Sequence, residues 1–306
     1  MNETTATLQT SRAWKGALYM VLAGIAFAVA NVLTQIVTFK LGFKAQSDTF
    51  WQYFIALIFS LPFIARQGLA GLKTNQPLPH IVRIVLSALG VQAFVMSLAS
   101  GVEIWQVIAL VMTSPFFVML GARLFLGERV GPERWLAAAV AFAGAMLILK
   151  PWASGFSIAS LLPIGAAILW GGASLITKYL TKDEAAESVT VWLLLLILPV
   201  NAALSVHAGF EVPSGSILVY LLIGGAVMLA AQYFLTKSYA AADAAYVQPF
   251  DDLKLISNIV AGWLAFGYLP EGYLWVGVAL ILAASAYLLR QESNREKSLK
   301  AANQAA

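Results

Sequence analysis

From Gly16 to Leu289 the chain is a succession of apolar runs, each close to the length that crosses a bilayer, joined by short polar links. No other feature constrains the fold as tightly. A helix needs about 20 apolar residues to cross a hydrocarbon core roughly 30 Å thick. Ten runs are read as spans: Gly16–Val37, Phe50–Ala65, Ile81–Ala99, Ile104–Leu126, Trp135–Leu149, Phe156–Tyr179, Val189–Phe210, Ile217–Leu235, Ala244–Gly267 and Tyr273–Leu289. They are continuously apolar and do not alternate, which fits helices and not the strands of a barrel. Lipid offers no hydrogen-bond partner, so each span must satisfy its own backbone. The expected fold is an all-α integral membrane protein. Composition agrees: 60% of the residues are hydrophobic and 11% charged, where a soluble domain carries about 25% charged residues. Met1 to Ala13 lacks the basic start and short apolar core of a cleavable signal, so the first span is expected to be retained.

The basic residues set an orientation. With the N-terminus in the cytoplasm, fifteen Lys and Arg fall on inner segments, while Lys40, Lys44 and Lys150 fall outside and Lys254 lies within the ninth span. That bias obeys the positive-inside rule and puts both ends, 1–15 and 290–306, in the cytoplasm of an inner membrane. Because the basic residues are dispersed between apolar runs, they do not form a nucleic-acid-binding face.

The chain also repeats itself. An offset of 140 residues aligns Gly127 with Gly267 and Trp135 with Trp275. The same offset aligns Gln92 with Gln232, Phe94 with Phe234 and Glu103 with Asp243. The reading is two five-helix repeats, 16–150 and 156–289. Five is odd, so the halves insert with opposite orientation, a common plan for transporters with a site near the midplane.

In order along the chain come Leu126-Gly127-Glu128-Arg129 with Trp135, then Tyr233-Phe234-Leu235-Thr236-Lys237-Ser238-Tyr239-Ala240, then Pro249-Phe250-Asp251-Asp252-Leu253-Lys254-Leu255 with Gly262-Trp263 and Gly267. This ordered set resembles the drug/metabolite transporter superfamily in its ten-helix, EamA-type branch, and the resemblance covers nearly the whole chain. It implies carriage of amino acids, nucleotide-like metabolites, vitamins or drugs, driven by protons or exchange. Two positions depart from the family pattern: Tyr268 stands where Glu is frequent, and Asp252 where an aromatic residue is usual.

Ionisable groups at bilayer depth are costly and mark functional sites. In the ninth span Gln248, Asp251, Asp252, Lys254 and Asn258 share one helical face, and Asp251 and Lys254, three apart, can pair. The alternative role is a structural ion pair between packed helices. Asn31, Thr34 and Gln35 share a face of the first span; Trp170, Ser174 and Thr177 share one on the sixth, its repeat counterpart; Gln92 and Gln232 are matched on the third and eighth. Facing one hollow, these groups suit a polar ligand. Trp105, Trp170, Trp192, Tyr233, Tyr246 and Phe250 add rings that stack on a planar one.

Metal-ligand spacing, phosphate loops and nucleophile elbows are lacking, so no enzyme, metal or cofactor is expected. The expected partners are a small-molecule substrate, membrane lipids and a second copy of the chain, and no nucleic acid. The pocket suits a planar, polar, near-neutral molecule; among substrates the resemblance implies, riboflavin fits that description. An amino-acid exporter and an adenosyl-metabolite carrier are the alternatives, and a passive channel is the alternative of another class.

Overall fold

The computed structural model describes residues 3–100, 110–128, 158–251 and 253–267, with scattered positions elsewhere between 107 and 143 and between 275 and 290. Every regular element among the described residues is helical. They are α1 (Glu3–Gln35, prolonged by a π-helical turn Ile36–Lys40), α2 (Ala45–Phe59), α3 (Leu61–Gln67), α4 (Pro77–Ala99), α5 (Ser114–Phe125), α6 (Leu162–Leu180), α7 (Ala186–His207), α8 (Gly215–Ala241), α9 (Ala244–Asp251) and α10 (Lys254–Phe266).

Five stretches are long and apolar enough to cross a membrane: Trp14–Lys40, Ala45–Gln67, Pro77–Ser97, Ala186–His207 and Gly215–Ala241. Their most apolar windows are only 22–33% buried. Leu89 and Met96 on α4, Ile223 on α8 and Leu264 on α10 are exposed. An outer surface this apolar has lipid as its natural solvent. The expected fifth and tenth spans, and the start of the fourth, lie largely outside the described residues.

Two boundaries correct the sequence reading. The second span begins at Ala45, five residues before the expected Phe50, and its first turn carries Asp48. A carboxylate is tolerated there because the positive end of the helix dipole lies at that turn. The ninth span is broken into α9 and α10. Pro249 has no N–H for the helical ladder. The Leu253 N–H instead bonds the Phe250 carbonyl, in a turn at 3.2 Å.

Packing follows from small residues at crossings. α1 lies along α8 and touches α9 and α10; α4 lies along α6; α2 passes between α7 and α8; α5 rests on α6 and α9. Met20, Val118, Met119, Ala122, Val247 and Phe250 form one apolar core where α1, α5 and α9 meet. Val37, Phe43, Ile55 and Leu221 form a second at the opposite end of α1. At Gly24, a Cβ would stand 3.1 Å from the Lys254 Cβ and 3.3 Å from its Cα, so glycine lets α1 run against the break in the ninth span.

Gly24→Leu is therefore expected to cost about 1–3 kcal/mol through overpacking and Gly24→Ala far less. Thermal unfolding of the detergent-solubilised variants checks this, and an unchanged midpoint for Gly24→Leu would contradict the close approach.

Candidate functional site

The break in the ninth span places a charged pair inside the bundle. Lys254 Nζ lies 2.6 Å from Asp251 Oδ2. Asp251 ends α9 and Lys254 opens α10, so the carboxylate also meets the positive end of the α10 dipole. Around this pair the side chains, joined through the Lys254 main-chain carbonyl, form one hydrogen-bonded row. Gln248 Nε2 donates to the same Asp251 oxygen at 3.4 Å. Tyr239 donates its hydroxyl proton to Gln248 Oε1 at 2.9 Å, and the Ser174 hydroxyl bonds Tyr239 in turn. On the other side Asn258 Nδ2 donates to the Lys254 carbonyl at 2.7 Å, and Asn31 Nδ2 donates to Asn258 Oδ1 at 2.9 Å.

The row thus brings together Ser174, Gln248, Asp251, Lys254, Asn258 and Asn31, six residues that the sequence singled out. It crosses α6, α8, α9, α10 and α1. Tyr239 and Gln248 are buried, Asp251 and Lys254 keep 16% and 37% of their side chains exposed, and Asn31 is exposed. Asn31 sits deep within the Trp14–Lys40 span. An amide exposed at that depth is expensive against acyl chains and inexpensive against water, so this end of the row fits a wetted hollow.

The remaining expected residues fall elsewhere. Thr34 shares the α1 face with Asn31 but donates to Asp48 Oδ2 at 2.9 Å, and Gln52 Nε2 donates to Thr34 at 2.7 Å. Gln232 is buried and donates to the Tyr53 hydroxyl at 3.2 Å, whereas Gln92 is exposed on α4; the structure does not bring this matched pair together. Trp170 packs on Gly90 and Phe94 and donates to the Ser87 carbonyl at 3.2 Å. The Tyr233 hydroxyl donates to Glu187, which also pairs with Lys237 at 3.4 Å, and its ring contacts Phe63. Phe250, expected in the pocket wall, is buried in the α1–α5–α9 core against Tyr246 because its side of α9 turns away from the charged row. Asp252 and Trp105 lie outside the described residues.

Three polar contacts had no sequence signal strong enough to find them. Glu128 accepts from the Ala244 and Ala245 amides, both at 3.0 Å, and so holds the N-terminus of α9. Lys178 donates to the Tyr239 and Ala242 carbonyls at 3.0 and 2.7 Å, and so holds the C-terminus of α8. Acid on free amides and base on free carbonyls is the arrangement that a helix junction favours. Near the start of α4, His80 meets Glu184 at 2.9 Å and Arg83 donates to the Val189 carbonyl at 2.9 Å. Arg83 is buried within α4. Among the described residues no group of His, Asp and Glu has the arrangement of a metal site.

A family comparison decides what kind of protein holds this row. The EamA-like transporter family model matches residues 14–150 and again residues 157–290. The chain belongs to the EamA-like transporter family. It is 59% identical to a riboflavin transporter of Rhizobium johnstonii, over 97% of this chain and 98% of that one. It is 43% identical to a riboflavin transporter of Vibrio cholerae, over 92% and 95%. An S-adenosylmethionine uptake transporter of Rickettsia felis is 24% identical over 95% and 96%. A solved crystal structure matches with TM-score 0.68 at 17% identity, covering 91% of this chain and 96% of that one, which speaks to the fold. This EamA-like transporter is a multi-pass membrane protein that handles a small-molecule substrate and is not an enzyme.

The charged pair yields a prediction. Asp251→Asn alone removes the carboxylate charge that Lys254 meets at 2.6 Å, and Lys254→Met alone removes the ammonium from Asp251. Each is expected to cost about 1–3 kcal/mol, and the double variant less than the sum of the two. A double-mutant cycle on thermal stability measures the coupling; additive effects would mean that the pair is not engaged.

Proposed function

We propose that this chain is a secondary transporter that carries riboflavin into the cell across the bacterial inner membrane. The observation that carries the reading is the 59% identity, over nearly the full length of both chains, to a protein named for riboflavin transport. Relatives named for S-adenosylmethionine uptake stand at 24–26%, which disfavours the adenosyl alternative. The chemistry of the row is compatible. Riboflavin offers a flat ring with an imide edge and a chain of hydroxyls. Asn31, Asn258 and Gln248 supply amides that both donate and accept, and Asp251 and Lys254 bind hydroxyls.

The architecture proposed is ten spans in two inverted halves with both ends cytoplasmic. Two observations support it. The family model matches the chain twice, in segments of nearly equal length. Several of the main helix contacts also keep their pattern when spans five apart are exchanged. The α1–α8 contact maps onto α6–α4, α2–α8 onto α7–α4, and α1 with α9–α10 onto α6–α5, while α2–α7 and α5–α9 map onto themselves. Such a pair of halves can open a central site to one side and then the other. Lys44 paired to Glu211 at 3.7 Å would belong to the outer closure, and the Glu128 and Lys178 contacts at the α8–α9 junction to the inner one.

Expression in a riboflavin auxotroph that lacks its own uptake tests the substrate. Growth at low external riboflavin is expected, together with saturable uptake and counterflow in vesicles. Failure to rescue growth, with the protein present in the membrane, would overturn riboflavin; rescue without saturation or counterflow would mean a pore.

A further inference from the structure

Asp48 is a carboxylate with no exposed surface, in the first turn of the second membrane helix. Its oxygens accept from Thr34 at 2.9 Å and from Gln52 at 2.9 and 3.0 Å. Among the described residues no Lys, Arg or His lies within ion-pair distance of it. The charged and titratable groups on the surrounding elements are otherwise engaged or exposed. Lys44 and Glu211 face each other, Lys40 stands over the Phe266 ring, and His207 at the end of α7 is exposed. From α8, Gly224 and Gly225 abut Gln52 and Ile55, and Tyr220 joins the apolar cluster below.

A buried carboxylate used only for structure is normally held by a cation. This one is held by a hydroxyl and an amide. Both groups donate and accept, so small rotations satisfy the acid as well as the anion: Thr34 Oγ1 or Gln52 Oε1 can accept the proton that a neutral Asp48 must donate. Asp251, with Lys254 against it, has no such freedom.

The position links two parts of the structure. Ser47, the preceding residue, bonds Ser205 at 3.0 Å and accepts from the Glu211 amide at 3.0 Å, so it ties α2 to the α7–α8 connection. Thr34 lies one turn from Asn31, the α1 end of the row that contains Asp251 and Lys254. A change in the charge of Asp48 therefore alters the bonding of α1 between this closure and the substrate row.

We propose that Asp48 is the proton-coupling carboxylate of this transporter. It takes a proton from the side of Lys40 and Lys44, and releases it to the other side once α1 has moved, one proton per substrate carried inward. Thr34 and Gln52 are positioning residues that stabilise both charge states. The inference rests on the transport reading above.

The test uses full-length protein in vesicles with riboflavin inside and outside. A gradient of about one pH unit, acidic outside, is expected to drive about a tenfold accumulation by the wild type. Asp48→Asn mimics the neutral acid; it should keep counterflow and lose accumulation. Gln52→Glu, which adds a like charge beside Asp48, should shift the pH midpoint of uptake upward while preserving counterflow. Accumulation by Asp48→Asn equal to the wild type, or wild-type counterflow without any response to the gradient, would overturn the proposal. Infrared difference spectra between acidic and alkaline pH read the site without any substrate. A carbonyl band of a protonated carboxyl that vanishes in Asp48→Asn supports the assignment, and its persistence in that variant overturns it. Absence of wild-type counterflow would instead count against riboflavin, and the infrared result would still decide Asp48.

Discussion

A carboxylate and an ammonium held 2.6 Å apart within an apolar helix bundle dictate much of what surrounds them. Hydrocarbon cannot solvate either charge or the backbone groups freed where α9 stops and α10 starts, so the protein has to. The helices that approach this break are the ones that bring polar atoms: α1 with Asn31, α8 with Tyr239 and α6 with Ser174. Gly24 makes the nearest approach sterically feasible. The rest of the bundle can then be apolar on its outer face because polar side chains turn inward, into this row and into clusters such as that of Asp48.

A second consequence concerns the α8–α9 junction. Where α8 ends and α9 begins, two helix ends expose carbonyls and amides. Glu128, from the segment after α5, and Lys178, from α6, take the ends on either side of Asp243. The Gly127-Glu128 pair that carries the family resemblance therefore has a physical role in this chain: its carboxylate holds the start of the broken span. The position expected to correspond, Tyr268 after Gly267, lies outside the described residues.

Much of this was legible in the sequence, and the reasons for success and failure are physical. Hydropathy identified the five long apolar helical stretches because lipid imposes a length and a polarity on each of them. The Asp251–Lys254 pair was legible because charges in an apolar run are conspicuous, and Asn258 because it lies one turn further along. That Asn31 would meet Asn258 followed only as membership of a common hollow, since helical spacing says nothing about which helices touch. Asp48 was missed because it precedes the apolar run and reads as a link residue; only the helix start at Ala45 and full burial reveal it. Phe250 was misread for the opposite reason. A ring beside a charged motif looks like a pocket wall, but the neighbouring residue on a helix points about 100° away.

The central claim is that the Asn31–Asn258 end of the polar row faces an aqueous substrate hollow within the bilayer. The chain has no cysteine, so single cysteines placed at 31 and 258 give an unambiguous readout. In intact vesicles both positions should react with a membrane-impermeant maleimide, and riboflavin should protect them. Inertness to that reagent, together with ready labelling by a lipid-soluble maleimide, would place these residues against the acyl chains and contradict the account.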